Sequence, residues 1–473
     1  MRNTRRWPVW VIGGLWFAVG ALTVAHNGPF FDEAIMIIAG LRVLEGYGLS
    51  DGYLVWFGGS LFWPLLAGIG YRIGGLSGTR IIALLLAAIT FGCTVRASTN
   101  LFGRKTALWT ALVLAASGPL MALARLGAYD VLAFGCIGVA FWAITELEEG
   151  DRRYLLIATL SLVGATLAKY PFVLMALPLC GLLVLLRRRQ AVLDLGILAF
   201  LGGAVFIAYF VSFRQQLAQA IAWQLVSRTT FGVTPLMIAY TSLYLSLVPV
   251  LLAIAGWRLT RERRGIAALL TISLAIWPLF HLATLDPVGI NKTIVFGATL
   301  AAPLGGLTLA QIWKQRRYRM AAPLIVLALM AIGVVQWQQL DRAWPDSRPT
   351  ARYLVEHVQP GELLLIDESW PYILYLYAAG RIDSPWDVYD VYRISHDQSP
   401  VGLCEYDWFV NVRGSYAWPE FINETIRECG HYQQVYTDTS WATGLGSDLR
   451  FYTYPVETFV LRLDDSTLES KER

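Results

Sequence analysis

The stretch LVWFGGSLFWPLLAGIGYRIG, residues 54–74, decides how this chain is threaded. It is apolar and long enough to cross a bilayer, which takes about 20 such residues. Yet Gly58-Gly59, Pro64, Gly68, Gly70 and Gly74-Gly75 interrupt it, as suits a broken, partly buried helix. Eleven other apolar runs read as spans: 7–25, 79–99, 106–123, 130–146, 154–168, 171–186, 192–212, 233–256, 265–283, 292–312 and 321–338. Between them lie six basic clusters: Arg2/Arg5/Arg6, Arg104/Lys105, Arg152/Arg153, Arg187/Arg188/Arg189, Arg258/Arg261/Arg263/Arg264 and Lys314/Arg316/Arg317/Arg319. Positive charge is retained on the cytoplasmic side. If 54–74 does not span, every cluster falls on the side of the N-terminus. If it spans, every cluster after the first flips outward. The sequence therefore predicts a juxtamembrane or re-entrant segment inside one long outer loop, 26–78.

Composition agrees with a membrane protein. The 473 residues are 56% hydrophobic and 15% charged, against about 25% charged in soluble domains. A net charge of +4 gives no reason to expect nucleic acid. The first apolar run follows Arg2, Arg5 and Arg6, is long for a signal peptide and lacks a small-residue cleavage site, so it reads as a retained anchor. The fold class expected is a polytopic α-helical membrane protein of about eleven spans, residues 1–340, with a small extracytoplasmic α/β domain over 341–465 and a polar tail, 466–473. In that domain short apolar runs (Leu363–Ile366, Trp408–Val412, Gln434–Tyr436, Thr458–Leu463) alternate with helical stretches at 350–358, 369–378 and 418–428. Its tryptophans and tyrosines suit sugar stacking but more readily build the domain's core. Of five cysteines, Cys93, Cys136 and Cys180 read as small hydrophobes, and a Cys404–Cys429 disulfide is allowed outside the cytoplasm.

Few ionisable groups lie in the outer loops. Asp32 and Glu33 follow the first span, Arg125, Tyr129 and Asp130 the third, and Lys169 sits between spans five and six. His281, Asp286 and Lys292 lie between spans nine and ten. Each has a plain structural reading. The acids can start helices, Asp130 can cap one, Lys169 and Lys292 can snorkel, Arg125 can pair with Asp130, and His281 near a helix end can be structural. Gathered at one membrane face, they suit one reaction. An anionic phosphate leaving group needs cations rather than a proton donor, and an acceptor hydroxyl needs one carboxylate as general base.

At these residues the chain resembles the glycosyltransferase C superfamily, in its protein O-mannosyltransferase and lipid A aminoarabinose transferase branch. The matching elements run through residues 7–320: Phe31-Asp32-Glu33-Ala34; Phe62-Trp63-Pro64-Leu65 with Gly74-Gly75 and Thr79-Arg80; Ser117-Gly118-Pro119 with Arg125 and Asp130; Leu167-Ala168-Lys169-Tyr170-Pro171; and His281, Lys292 and Ala302-Pro303-Leu304-Gly305-Gly306. The His and first Pro of the family's His-Pro-Pro-Leu stretch are absent here. The resemblance implies an inverting transferase using a polyprenyl- or dolichyl-phosphate sugar. It places the base at Asp32, with Glu33 beside it and Asp130 as a second acid. Lys169, Lys292, Arg80 and Arg125 become candidates for the donor phosphate, and Tyr129 and His281 for substrate contact. No His/Cys metal set is visible, though Asp32 and Asp130 could share a divalent cation, Mg²⁺ or Mn²⁺, through oxygen ligands. The implied partners are a polyprenyl-phosphate-linked sugar, a glycan, lipid or protein acceptor, and the lipid bilayer of a plasma (inner) membrane. The competing reading is a transporter or flippase for a lipid-linked or anionic substrate. Transporters tend to show repeated halves and mid-bilayer polar groups; here no repeat is visible and few such groups appear.

Overall fold

The computed structural model describes residues 7–49, 53, 60, 62–149, 151–222, 234–286, 289–390, 401–413, 429, 431–443 and 453–463. The basic start at Arg2, Arg5 and Arg6, most of 54–61, the expected helix 418–428 and the tail 466–473 lie outside these residues. The chain divides into two compact units. The first holds described residues through Val24 and Ala39–Leu340, the second Ala25–Ile38 and the residues from Asp341 onward.

The first unit is helical. It contains α1 (Trp7–Leu22), α3 (Phe62–Phe102), α4 (Arg104–Ala115), α5 (Gly118–Ala124), α6 (Tyr129–Glu146), α7 (Arg153–Ala168), α8 (Ala176–Arg187), α9 (Ala191–Ser212) and α10 (Arg214–Ile221). It continues with α11 (Pro235–Leu259), α12 (Arg264–Ile272), α13 (Ile276–Thr284), α14 (Ile290–Lys314) and α15 (Ala321–Asp341), whose last residue falls to the second unit. α2 (Phe31–Leu44) crosses the division. All eleven expected stretches are helical. By length and composition, seven helical segments among the described residues can cross a membrane, or eight counting α4 and α5, bent by 70° at Ala116-Ser117, as one. That reckoning takes Tyr170–Ser212 as a single segment, which the left-handed backbone of Arg188 interrupts (φ 36°). α1 and α7 are shorter apolar helices.

The segment around residue 64 does not run straight on as a span. α3 breaks at Gly74-Gly75, where Gly75 takes φ 61°, ψ −151°, a conformation essentially restricted to glycine. The two arms fold back on each other, so that the Thr79 hydroxyl donates to the Ala67 carbonyl at 2.8 Å. Gly70 and Gly78 make this approach possible, because a Cβ on Gly70 would lie 2.8 Å from the Thr79 Cα. Gly40 of α2 meets Pro64 and Gly68 of the first arm in the same way. The break and the partial burial are those expected of residues 62–74.

α6 is a natural ruler for the bundle. It is buried along nearly its whole length, and its two ends carry different chemistry. At the C-terminal end, Arg96 pairs with Glu146 at 2.7 Å, Arg187 donates to the Leu147 carbonyl at 3.0 Å, and Arg263 pairs with Glu148 at 2.9 Å. Members of separate basic clusters therefore meet at one face. At the N-terminal end, the Trp63 indole donates to the Gly127 carbonyl at 3.0 Å, and Asp130 stands in the first turn.

The second unit contains a five-stranded sheet in the order β2-β1-β3-β5-β4, with β1 (Leu364–Ile366), β2 (Val388–Tyr389), β3 (Trp408–Arg413), β4 (Tyr432–Thr443) and β5 (Thr453–Leu463). β1 pairs in parallel with β2 and β3, while β5 pairs antiparallel with β3 and β4. The helices α16 (Arg348–His357) and α17 (Ser369–Ala378) fall where the sequence puts them. Leu365, Tyr406 and Phe409 form a buried cluster, and Trp408 is buried with its indole donating to Glu362 at 2.7 Å. Trp386 and Trp441 are exposed instead. Cys404 and Cys429 are joined in a disulfide. The unit also holds residues 25–28, which follow α1. Asn27 donates to the Asp341 and Trp344 carbonyls, the Trp344 indole donates to the Gly28 carbonyl, and Arg348 donates to the Ala25 carbonyl.

Candidate functional site

In the first unit, three of the sequence's candidates converge. Asp130 is fully buried. Lys169 Nζ donates to its Oδ1 at 2.9 Å, and Lys292 Nζ stands 3.7 Å from its Oδ2. Each element is shaped to bring its residue here. α7 stops at Ala168 because Pro171 lacks the N–H that would bond back to residue 167, and its ring would strike that carbonyl. Lys169 is consequently extended (φ −159°, ψ 112°) and leaves the helix axis. α14 begins at Ile290 after Gly289, whose left-handed backbone (φ 83°) turns the chain so that Lys292 lies in the first turn. Tyr129, the residue before Asp130, places its ring 4.5 Å from Lys169 Nζ, a cation–π contact. Lys169 keeps 18% of its side chain exposed and Lys292 7%. Two ammonium groups on one carboxylate leave the cluster a net cation, pre-organised for an anion.

The other candidates, Arg80, Arg125 and His281, make contacts within the fold. Arg80 and Arg125 are both completely buried. Arg80 donates to the Val24 carbonyl at 2.8 Å and Arg125 to the Thr23 carbonyl at 2.9 Å, so both close the carbonyl end of α1. The Arg125 guanidinium also stacks on Trp337, 4.5 Å from its ring. His281 has both ring nitrogens engaged, Nδ1 2.5 Å from the Asp286 carbonyl and Nε2 2.9 Å from the Thr293 hydroxyl. A carbonyl only accepts, so Nδ1 is the donor, and the ring ties the loop after α13 to α14. The pairing of Arg125 with Asp130 that the sequence allows is not among these contacts, and a buried cation bound to backbone carbonyls looks in sequence like one that awaits a phosphate.

In the second unit, Asp32 and Glu33 open α2. Glu33 is buried, and its carboxylate accepts the Phe30 N–H at 2.8 Å, the acid half of a capping box. Asp32, one residue earlier in that turn, is half-buried. A divalent cation does not fit Asp130, since two lysine ammoniums already flank its oxygens. Among the described residues no group of three or more His, Cys, Asp or Glu side chains could hold a metal.

Fold and cluster together define a class, an α-helical membrane protein with a small sheet domain whose fold is similar to that of solved glycosyltransferases. A family model, that of dolichyl-phosphate-mannose-protein mannosyltransferases, matches residues 60–214. ArnT from Cupriavidus metallidurans, in its structure bound to undecaprenyl phosphate, superposes with a TM-score of 0.63 at 14% identity, covering 95% of this chain and 97% of ArnT. The Archaeoglobus fulgidus oligosaccharyltransferase gives 0.54 at 10% identity over 86% of this chain and 70% of its own. The mycobacterial arabinofuranosyltransferase AftD gives 0.50 at 15% identity over 98% of this chain and 42% of its own. No curated protein matches in sequence.

Proposed function

We propose that this chain is an integral membrane glycosyltransferase that moves a sugar from a polyprenyl-phosphate donor to an acceptor hydroxyl at the extracytoplasmic face, with inversion. The observation that carries the reading is the Asp130 clamp, which holds Lys169 and Lys292 as a paired cation at one end of the bundle. The match to ArnT, which binds undecaprenyl phosphate, supports a lipid-linked donor. In the reaction, the acceptor oxygen attacks the anomeric carbon while Asp32 takes its proton. The bond from that carbon to the phosphate oxygen breaks, and its electron pair leaves with polyprenyl phosphate. Lys169 and Lys292 stabilise the charge that grows on the leaving phosphate. The phosphate is a weak base, so no general acid is required, in contrast to a glycosidase. Glu33 caps the helix that carries Asp32 and fixes its position. The acceptor is a glycan, a lipid or a protein, and the membrane is a bacterial or archaeal plasma membrane with the basic loops inside.

The test is a transfer assay in nanodiscs with radiolabelled polyprenyl-phosphate sugars, comparing wild type with Asp32→Asn. Wild type should release polyprenyl phosphate, and Asp32→Asn should lose about 1,000-fold or more of that rate, within the range for general-base catalysis combined with lost orientation. Full turnover by Asp32→Asn would remove that residue from the mechanism. Labelled lipid crossing a sealed vesicle without transfer would favour a transporter.

A further inference from the structure

Asp32 belongs to the same compact unit as the sheet, which takes in Ala25–Ile38 and so the first turn of α2. The segment that leads into that turn, residues 25–30, is neither helix nor strand. A catalytic group must be held within about 0.5 Å of its productive place. A carboxylate at the end of an irregular segment therefore depends on whatever holds the segment.

Residues 341–348, where the chain enters the sheet domain, hold it at one residue after another. Arg348 donates to the Ala25 carbonyl at 3.0 Å, and its guanidinium is itself fixed on Asp346 by bonds of 2.8 and 2.7 Å. Asn27 is buried and donates to the Asp341 and Trp344 carbonyls at 3.1 and 3.0 Å. The Gly28 N–H donates to Asp346 Oδ1 at 3.0 Å, and the Gly28 carbonyl accepts the Trp344 indole N–H at 3.2 Å. The approach is close enough that a Cβ on Gly28 would stand 2.7 Å from the Ser347 hydroxyl and 3.1 Å from the Ser347 nitrogen. The Trp344 ring packs on Phe30, with centroids 5.0 Å apart. Phe30 immediately precedes α2, and its N–H is the one that Glu33 accepts. From the sheet, the Thr443 N–H at the end of β4 donates to the Arg342 carbonyl at 2.6 Å. Contacts thus run without a gap from the sheet to the residue two before Asp32. Contacts that only joined the domain to its anchor could fall anywhere along 25–38, but these converge on the cap of one turn.

We propose, on the reading of Asp32 as the general base, that Trp344 and Asn27 are positioning residues for the transfer reaction. They act through residues 25–30 to set the Asp32 carboxylate against the acceptor hydroxyl. The sheet domain then has a part in catalysis that needs no contact between its strands and the substrate. A misplacement of about 1 Å can cost about 100-fold in rate, so a loosened tie lowers kcat and leaves donor binding alone.

The test uses the full chain in nanodiscs with the same radiolabelled polyprenyl-phosphate sugars, read as release of polyprenyl phosphate. Trp344→Ala should lower kcat about 10–100-fold with the donor KM within about twofold of wild type. Trp344→Phe, which keeps a ring against Phe30, should retain most of the rate. Asn27→Ala should repeat the Trp344→Ala pattern, and it takes that variant's place if Trp344→Ala elutes as misfolded. The deciding measurement is made in the Asp32→Asn background. There Trp344→Ala should change the residual rate by less than about twofold, because a residue that acts only through Asp32 has nothing left to place. An equal fold-loss in both backgrounds would mean a general structural defect and would overturn the proposal. Normal kcat in Trp344→Ala and Asn27→Ala, beside a disabled Asp32→Asn, would overturn it while leaving the base in place. No turnover by wild type, or full turnover by Asp32→Asn, would remove the base itself and the role of Trp344 and Asn27 with it.

Discussion

At the scale of single residues, the Asp130 clamp makes the sharpest prediction. Lys169 is the more exposed of its two cations and the one in hydrogen-bond contact. Lys169→Met should lower kcat/KM for the lipid-linked donor about 100-fold, the usual loss when one pre-organised charge donor is removed. The loss should fall mainly on kcat if the ammonium acts on the leaving phosphate. Asp130→Ala should destabilise the bundle by about 3–5 kcal/mol, because it leaves a buried ammonium uncompensated. Adding Lys169→Met to Asp130→Ala should restore part of that stability, a coupling readable in a double-mutant cycle of thermal unfolding. A different carboxylate sets a pH dependence in the second unit. Asp367, at the end of β1, is buried, and its Oδ2 has no hydrogen-bond partner. Burial pushes its pKa up to about 7, against the opposing N–H groups of Glu368 and Val412, and the charge of Asp390 adds to the rise. A carboxyl whose folded pKa lies above its unfolded value binds its proton more tightly when folded. Its contribution is therefore most favourable below about pH 4 and is lost as pH rises to 7. Asp367→Asn should flatten that slope and stabilise the sheet domain above pH 7 by an amount on the order of a few kcal/mol. Hydrogen exchange of β1 and β3 at pH 5 and pH 8 checks it, and an equal pH slope in the variant would refute the assignment.

At the scale of elements, the helices that sequence exposes best are those whose glycines have a geometric job. The interruption of 54–74 is legible because Gly74-Gly75 permits a turn no other pair permits, and the structure puts the break in α3 at those two residues. The strands Leu364–Ile366 and Trp408–Arg413 are legible because they are short, apolar and buried. β4 is legible only in part: the expected run Gln434–Tyr436 falls inside it, but this edge strand extends over Tyr432–Thr443, and Gln433, Gln434 and Val435 are all exposed. β2, two residues long, carries no pattern at all. The tie between residues 25–28 and the entry to the sheet domain was equally invisible, because it runs through backbone carbonyls that any sequence supplies. The same glycine logic gives a prediction for α14. Gly306 lies where a Cβ would strike Thr110 and the Thr106 carbonyl, so Gly306→Leu must push α14 from α4. Overpacking of this kind costs about 1–3 kcal/mol and displaces backbone. The shift would move the helix that carries Lys292. Gly306→Leu should thus lower both thermal stability and donor affinity, whereas Gly196→Leu, at a position with nothing within 4 Å, should change neither. Thermal unfolding and donor titration of the two variants decide it.

At the scale of the whole chain, the remaining question is which face of the membrane each end of α6 meets. Arg96, Arg187 and Arg263 gather at its C-terminal end. The cations at its other end, Lys169 and Lys292, are engaged by the Asp130 carboxylate. Retention of positive charge predicts the first end in the cytoplasm and the Asp130 clamp outside. The Cys404–Cys429 disulfide is consistent with a sheet domain on the outer side, where thiols oxidise and stay oxidised. Loop charge and redox chemistry are independent properties, and one experiment tests both. A reporter active only outside the cytoplasm, fused after Thr443, should be active, and the same reporter fused after Arg317 should be silent. In that compartment, Cys404→Ala/Cys429→Ala should cost the sheet domain about 3–4 kcal/mol by the loop-entropy model for a 25-residue separation. The loss should appear as faster proteolysis of the sheet domain, with the helical unit unaffected. A silent reporter after Thr443 would place the domain inside. It would then require an even number of spans and would remove the extracytoplasmic site from the proposed reaction.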